Sequence, residues 1–153
     1  MSLSKMFKTD QKMEREGIFI DLGPNEDLPP GDDGKRPSMR FRIARAGGSN
    51  QEYNKALERL TRPHRRAIQA GHFSNEQAEA LFREAFVNNV LLGWDNITDP
   101  KDPTQLLPFS PEAANRLFTE MPDLLTFLRE EASNAALFRE ELRDRDLGNS
   151  GRS

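Results

Sequence analysis

The chain has 153 residues, which fits one domain, with 35% hydrophobic and 31% charged side chains. The absence of cysteine excludes disulfides, thiolate zinc sites, iron–sulfur clusters and cysteine nucleophiles, and two histidines are too few for a three-histidine metal site. No apolar run approaches the roughly 20 residues that a membrane-spanning helix needs, and charged side chains interrupt the first residues, so we expect neither a membrane span nor a secretory signal.

The charge is unevenly distributed along the chain. Residues 1–72 contain 14 basic and 10 acidic side chains, whereas residues 73–153 contain 8 basic and 15 acidic ones, and the formal net charge is −3. Solvated helix surfaces would produce this pattern, and so would contact between the basic half and an acidic partner, or head-to-tail self-association.

The first residues predict an arm followed by a strand. Residues 1–16 are polar and have no clear periodicity, so we expect a flexible N-terminal arm. Residues 18–22 are β-branched, aromatic or apolar around one aspartate, and Gly17 and Gly23 bound them, which is typical of a strand.

A second strand is predicted after a loop rich in proline and glycine at residues 24–38. Met39, Phe41 and Ile43 alternate with more polar or smaller residues, and this period of two indicates one buried and one solvated face. We therefore expect the two strands to pair as a hairpin, which needs helices to pack on because a lone hairpin is only marginally stable.

The helical region begins near Ser49, which together with Glu52 fits a capping box. Apolar spacing continues to Pro63, where the helix is expected to stop or restart. A second helical stretch then runs from Pro63 to Ala70 and ends at Gly71.

A further capping box, Ser74 with Gln77, predicts the start of the clearest helix. Its apolar stripe consists of Ala78, Leu81, Phe82, Ala85, Phe86 and Val90. Residues 87–92 are apolar nearly all round, so we expect a deeply buried helix end that closes at Gly93. A loop with three prolines follows at residues 94–108.

The last predicted helices begin at Ser110, a helix cap with Pro111 at the first position, and at Pro122. Leu117 and Met121 are expected on the inner face of the first helix, and Leu124 belongs to the apolar positions of the second. The second of these extends to about residue 145, and residues 147–153 are expected to be disordered. The predicted fold is mainly α: a bundle of about four to five helices, with the small N-terminal β-hairpin packed on it, in one domain over residues 17–146.

No pattern in the sequence predicts catalysis, a cofactor or a metal. His64 and His72 lack further ligands at suitable spacing. Asp95, Asp99 and Asp102 do not fit a calcium-binding loop, because the required glycine and the bidentate glutamate are missing. We therefore predict a protein that is not an enzyme and has no cofactor, and we rank a small enzyme last among the alternatives.

The candidate partner-binding residues are a basic cluster and two aromatic side chains. They are Arg40, Arg42, Arg59, Arg62, Arg65, Arg66, Trp94 and Phe109. Arginines spaced three and four apart share one helical side, provided that Pro63 does not break the helix. The cluster could dock an acidic protein segment or phosphates; the acidic pI of about 5.5 favours a protein partner over nucleic acid. A small nucleic-acid-binding or regulatory module remains the alternative function.

The order of several short motifs over residues 17–142 resembles the tail assembly chaperones of long-tailed bacteriophages and prophages. The motifs are Phe41-Arg42-Ile43 followed by two glycines, Arg62-Pro63, Leu92-Gly93-Trp94-Asp95, Leu107-Pro108-Phe109-Ser110-Pro111 and Met121-Pro122-Asp123-Leu124. The chain departs from the family at Asp99-Pro100 and Asp102-Pro103, where similar proteins often have an Asp-Gly turn.

This resemblance implies a non-enzymatic role in the cytoplasm of the bacterial host. Members of that family bind the tape measure protein, help to recruit the tail tube protein, and are absent from the mature virion. A longer, frameshifted form often accompanies the short one. The uneven charge keeps self-association among the expected contacts, whereas a membrane partner is not expected.

Overall fold

The computed structural model describes residues 2–139. The helices are α1 (Leu3–Phe7), α2 (Gln11–Glu16), α3 (Gln51–Thr61), α4 (Arg65–Gln69), α5 (Asn75–Asn89), α6 (Pro111–Glu120) and α7 (Pro122–Ser133). The strands are β1 (Ile18–Pro24), β2 (Ser38–Ile43), β3 (Leu91–Asp95), β4 (Thr98–Asp99) and β5 (Asp102–Leu106). Short 3₁₀ turns span Arg62–His64 and Ala135–Phe138.

The predicted N-terminal hairpin is confirmed. Strands β1 and β2 are antiparallel, with Ile18 opposite Ile43 and Ile20 opposite Phe41. Phe41 and Ile43 are buried against the helices, while Arg42 between them is exposed. The period of two in the sequence thus indicated the buried face of β2 correctly, because successive side chains of a strand point to opposite faces.

The prediction of a mainly α fold is wrong, because the structure is mixed α and β. About 51% of the described residues are helical and 18% lie in strands. Helix α5 ends at Asn89, and strand β3 begins two residues later. Strand β3 pairs antiparallel with the edge of β2 that β1 leaves free, which completes a sheet of order β1-β2-β3. A short run that is apolar all round suits a buried helix end or a buried strand equally well. Pairing with β2 satisfies backbone groups that would otherwise form an open edge.

The predicted loop at residues 94–108 also contains regular structure. Strands β4 and β5 form a small antiparallel hairpin, with Thr98 opposite Leu106 and Asp99 opposite Asp102. The carboxylate of Asp99 accepts a hydrogen bond from the amide of Lys101, and that of Asp102 accepts one from the amide of Thr104. These aspartates therefore shape a tight turn.

The N-terminal segment, which was expected to be a flexible arm, forms the helices α1 and α2. Asp10 caps α2 by accepting hydrogen bonds from the amides of Lys12 and Met13. Met13 and Glu14 are buried, and the backbone carbonyl of Glu14 accepts a hydrogen bond from the amide of Arg45 at 2.8 Å. Contacts with residues distant in sequence hold α2 in place, and periodicity within a six-residue helix cannot reveal them.

Two of the three predicted N-terminal helix caps are confirmed. Ser74 forms the capping box of α5, and Ser110 caps α6 with Pro111 at the first position. Ser49 does not cap α3: Asn50 takes the N-cap position, and the Ser49 hydroxyl donates to Glu14 instead. The buried Asn50 side chain donates to the carbonyls of residues 45 and 89, so it joins the end of the sheet to the end of α5.

Helix α7 is shorter than predicted. It ends at Ser133, where the side chain of Asn134 accepts a hydrogen bond from the amide of Ala136 and begins the 3₁₀ turn that buries Phe138. The asparagine offers the backbone a local alternative to continuing the helix. The rest of the predicted helix, including Leu142, and the predicted disordered tail at residues 147–153 lie outside the described residues.

The core lies between the inner face of the three-stranded sheet and helices α3, α5, α6 and α7. At its centre the rings of Phe86 and Phe118 meet edge to face, with centroids 6.0 Å apart. Phe82, which was expected on the inner face of α5, is only partly buried, and the guanidinium of Arg129 covers its ring. Phe19 lies on the opposite face of the sheet and is 52% exposed.

Candidate functional site

Two of the predicted partner-binding arginines lie on the outer face of the sheet. The guanidinium carbon of Arg40 is 4.4 Å from the ring centroid of Phe19, and that of Arg42 is 5.8 Å from it. Arg40 also forms an ion pair with Asp95 at 2.7 Å, and Arg42 donates to the backbone carbonyl of Glu16. This face therefore presents an aromatic ring between two cations, of which one is already paired with a carboxylate.

The other four arginines lie on α3, the first 3₁₀ turn and α4. Arg59, Arg62, Arg65 and Arg66 are all exposed. The tighter 3₁₀ turn at Pro63 interrupts the α-helical spacing, so they do not form the single continuous helical stripe that was considered. Arg62 is paired with Glu58 at 3.1 Å. Among the described residues, no hydrogen bond or ion pair joins this group to the arginines of the sheet.

The two predicted aromatic residues lie side by side. The ring of Trp94 is edge to face with those of Phe41 and Phe109, at 5.9 and 5.0 Å between centroids, and its indole nitrogen donates to the backbone carbonyl of Leu107 at 2.7 Å. Trp94 thus fills the edge of the core and holds the segment before α6 against β3. Together with Arg40, the two aromatic rings line a surface pocket of about 540 Å³.

A second opening, which the sequence did not predict, lies between the sheet and the junction of α6 and α7. We call it the apolar groove; it is lined by Leu22, Asn25, Asp27, Met39, Phe41, Ile97, Thr98, Pro100, Leu117, Met121 and Leu124, with a volume of about 350 Å³. Leu22 and Met121 are exposed on it. Buried Asn25 donates to the carbonyl of Asn96 and to the hydroxyl of Thr98, so it fixes one wall.

The sequence contained only part of the signal for this groove. Met39 was predicted on the inner face of β2, and Leu117, Met121 and Leu124 on inner helix faces. That they surround an opening rather than filling it depends on the angle at which Pro122 turns the chain between the two helices, and short-range periodicity does not encode that angle.

A buried ion pair connects α2 to the turn after β2. The carboxylate of Glu14 accepts hydrogen bonds from Arg45, Ser49 and Thr9. Burial by itself would raise the pKa of this carboxyl, but the hydrogen bonds and the Arg45 charge outweigh burial and leave the pKa below its ordinary value. Gly48 permits the close approach, because its φ is +54° and a Cβ there would overlap the Glu14 carboxylate.

Neither a metal site nor a membrane-spanning helix occurs among the described residues. Within residues 2–139 no group of three or more histidine, aspartate or glutamate side chains is placed to hold a metal ion. His64 packs against the ring of Phe73 at 5.1 Å between centroids. Within the same residues, no helix has the length and apolar character that crossing a bilayer requires.

Comparison with protein-family models identifies a family for this chain. The family described as YdaY prophage protein matches residues 48–149. This range begins just before α3 and contains α3 and all later helices and strands of the described residues. No curated protein and no solved structure matches the chain. Since the match covers about two thirds of the sequence, the chain belongs to the YdaY prophage protein family.

Proposed function

We propose that this protein is a tail assembly chaperone of its prophage, which binds the tape measure protein and helps to recruit tail tube subunits without any enzymatic activity. The observation that carries the proposal is the apolar groove in a member of a prophage protein family. The order of motifs around Trp94, Phe109 and Pro122 supports the same role through its resemblance to tail assembly chaperones. Such a protein acts in the host cytoplasm and is absent from the finished virion.

The groove has the chemistry that an amphipathic client helix needs. Such a helix inserts apolar side chains at positions i, i+3 and i+4 into an apolar groove and keeps its polar face in water. Two methionines, Met39 and Met121, line the groove. Methionine is flexible and polarisable, so it adapts to different client side chains. A volume of about 350 Å³ accepts a few large apolar side chains rather than a whole helix.

The proposal is tested by co-expression with the tape measure protein encoded in the same prophage. We expect the client to stay soluble and to copurify with the wild-type chain. Met121→Lys places a charge in the groove and should abolish copurification. Phe127→Lys is the matched control, because Phe127 lies on α7 outside the groove lining and is 38% exposed, against 40% for Met121.

Two outcomes would contradict the proposal. The first is a client that remains insoluble, and forms no complex, with the wild-type chain. The second is a Met121→Lys variant that retains the client as well as Phe127→Lys does, which would show that the groove is not the client site.

The alternative of a nucleic-acid-binding module gains no specific support from the geometry. Arg40 and Arg62 are paired with carboxylates, and the candidate arginines lie on separate elements. The alternative stays a prediction with a simple test: DNA or RNA binding that weakens steeply with salt, and that is lost when the exposed arginines are replaced by alanine.

A further inference from the structure

Helix α1 exposes an apolar stripe. Leu3, Met6 and Phe7 have the spacing i, i+3, i+4, and they are 77%, 39% and 65% exposed. None of the five residues of α1 is buried. So short a helix is not stable in water by its own backbone hydrogen bonds, since isolated helices below about 12 residues are marginal. The stripe therefore has the properties of a docking element rather than of a solvated helix.

The apolar groove is complementary to this stripe in size and chemistry. Side chains at i, i+3 and i+4 form a compact row on one helix face, and three such side chains match an opening of about 350 Å³. Most of the groove wall consists of leucine, methionine, isoleucine, phenylalanine and proline side chains, and its polar residues are Asn25, Thr98 and one carboxylate, that of Asp27.

The charges around the two surfaces are also complementary. Lys8 directly follows Phe7 at the end of α1 and forms no ion pair within the described residues. Asp27 lines the groove and likewise has no ion-pair partner in residues 2–139. The Lys8 cation beside the stripe would thus meet the Asp27 carboxylate at the groove.

We infer that α1 of one copy of the chain docks in the apolar groove of a second copy. The contact is heterologous, because it joins different surfaces of the two copies, so each added copy leaves a free groove and a free α1 at the two ends. Three side chains bury far less than the ~1,200 Å² of a stable interface, so the association is weak and grows with concentration. The inference does not depend on the proposed function, although a client in the same groove would compete with α1.

The experiment is sedimentation velocity of the full chain alone, without any client, over a concentration series. We expect wild-type protein to form growing oligomers, whereas Phe7→Glu, which damages α1, and Met121→Lys, which damages the groove, each remain monomeric. Ser4→Glu, which adds the same charge to the polar side of α1, and Phe127→Lys are the matched controls and should associate like wild type. Circular dichroism verifies that the variants are folded, as expected for substitutions at exposed positions.

Mixing the two damaged variants gives the decisive result. Phe7→Glu retains an intact groove and Met121→Lys retains an intact α1, so an equimolar mixture should form one-to-one dimers and nothing larger. An interface between two copies of α1, or between two grooves, would not be restored by mixing. A wild-type chain that is monomeric up to millimolar concentration overturns the inference, and so does a mixture that stays monomeric. If only Phe7→Glu prevents association, α1 docks elsewhere, and the groove assignment is wrong.

Discussion

Replacing Glu14 by glutamine removes a buried negative charge while keeping the shape of the side chain. In the native structure Glu14 is 2% exposed and accepts hydrogen bonds from Arg45, Ser49 and Thr9. The glutamine side chain retains one acceptor oxygen, but its NH₂ group then faces the hydrogen-bond donors that the second carboxylate oxygen had accepted from. The Arg45 guanidinium also loses its counter-charge.

The expected loss follows from these contacts. Hydrogen bonds to charged groups contribute about 1.5–3 kcal/mol each, and leaving a buried partner unsatisfied costs about 1–3 kcal/mol. Removing the charge also removes the cost of burying it, which opposes the loss. We therefore expect Glu14→Gln to lower the free energy of unfolding by about 1–3 kcal/mol at pH 7, or the melting temperature by about 3–9 °C at ~3 °C per kcal/mol for a chain of this size.

The pH dependence gives the sharper test. Because the pKa of Glu14 is lower in the folded state than its ordinary value of 4.5, the charged carboxylate stabilises the fold above pH 4.5. This contribution is lost as the pH falls below 4.5 through the folded-state pKa. The difference between wild type and Glu14→Gln, measured by urea unfolding, should thus be complete at pH 7 and shrink below pH 4.5.

Glu16→Gln is the matched control, since Glu16 lies on the same helix but its side chain is 59% exposed, with only a 4.0 Å contact to Lys12. This control should change stability by less than about 0.5 kcal/mol. Equal losses in the two variants, or a Glu14→Gln loss that does not vary between pH 7 and pH 3, would refute the assignment of a charged, hydrogen-bonded Glu14.

Three further substitutions test the packing of the fold by urea unfolding. Phe86→Ala should cost about 3–5 kcal/mol because the ring is fully buried, whereas Phe19→Ala on the outer sheet face should cost less than about 1 kcal/mol; similar values would show that the core is misplaced. Trp94→Phe leaves the Leu107 carbonyl without its indole donor and should cost about 1–3 kcal/mol, and an unchanged stability would contradict that hydrogen bond. Ser74→Ala removes the cap of α5 and should cost about 1 kcal/mol, which would be absent if the capping box did not form.

Local signals predicted a large part of the fold. The alternation around Phe41 located the buried face of β2, and the spacing from Ser74 to Phe86 located α5 and its inner side. Ser110 with Pro111 located the beginning of α6. In each case the residues that decide the conformation are within a few positions of one another, so period and capping are sufficient.

Elements that depend on distant partners were missed. Strand β3 follows a helix without a break in hydrophobicity, and it is a strand because β2 offers it a free edge. The sequence around Ser49 predicts a helix cap, yet the Ser49 hydroxyl donates its hydrogen bond to Glu14, which is 35 residues away. The resemblance to a phage family agrees with the YdaY prophage match, but at the coarser level of a prophage protein.

The candidate site was likewise predicted only in part, because its residues come from segments distant along the chain. From the sequence, Arg40, Trp94 and Phe109 were candidates separately, and the structure brings them together around one pocket. The apolar groove was not predicted, although several residues of its wall had been assigned to the core.

Composition and neighbours within about two helical turns were enough to predict the absence of thiol chemistry, the strong helices, the hairpin and the apolar faces. Packing of the chain added the three-stranded sheet, the buried Glu14 that holds α2, and the apolar face that stays open as a groove. These features could not be predicted because edge pairing, charge burial and cavity shape are set by contacts between segments distant along the chain, and such contacts exist only after the elements have packed.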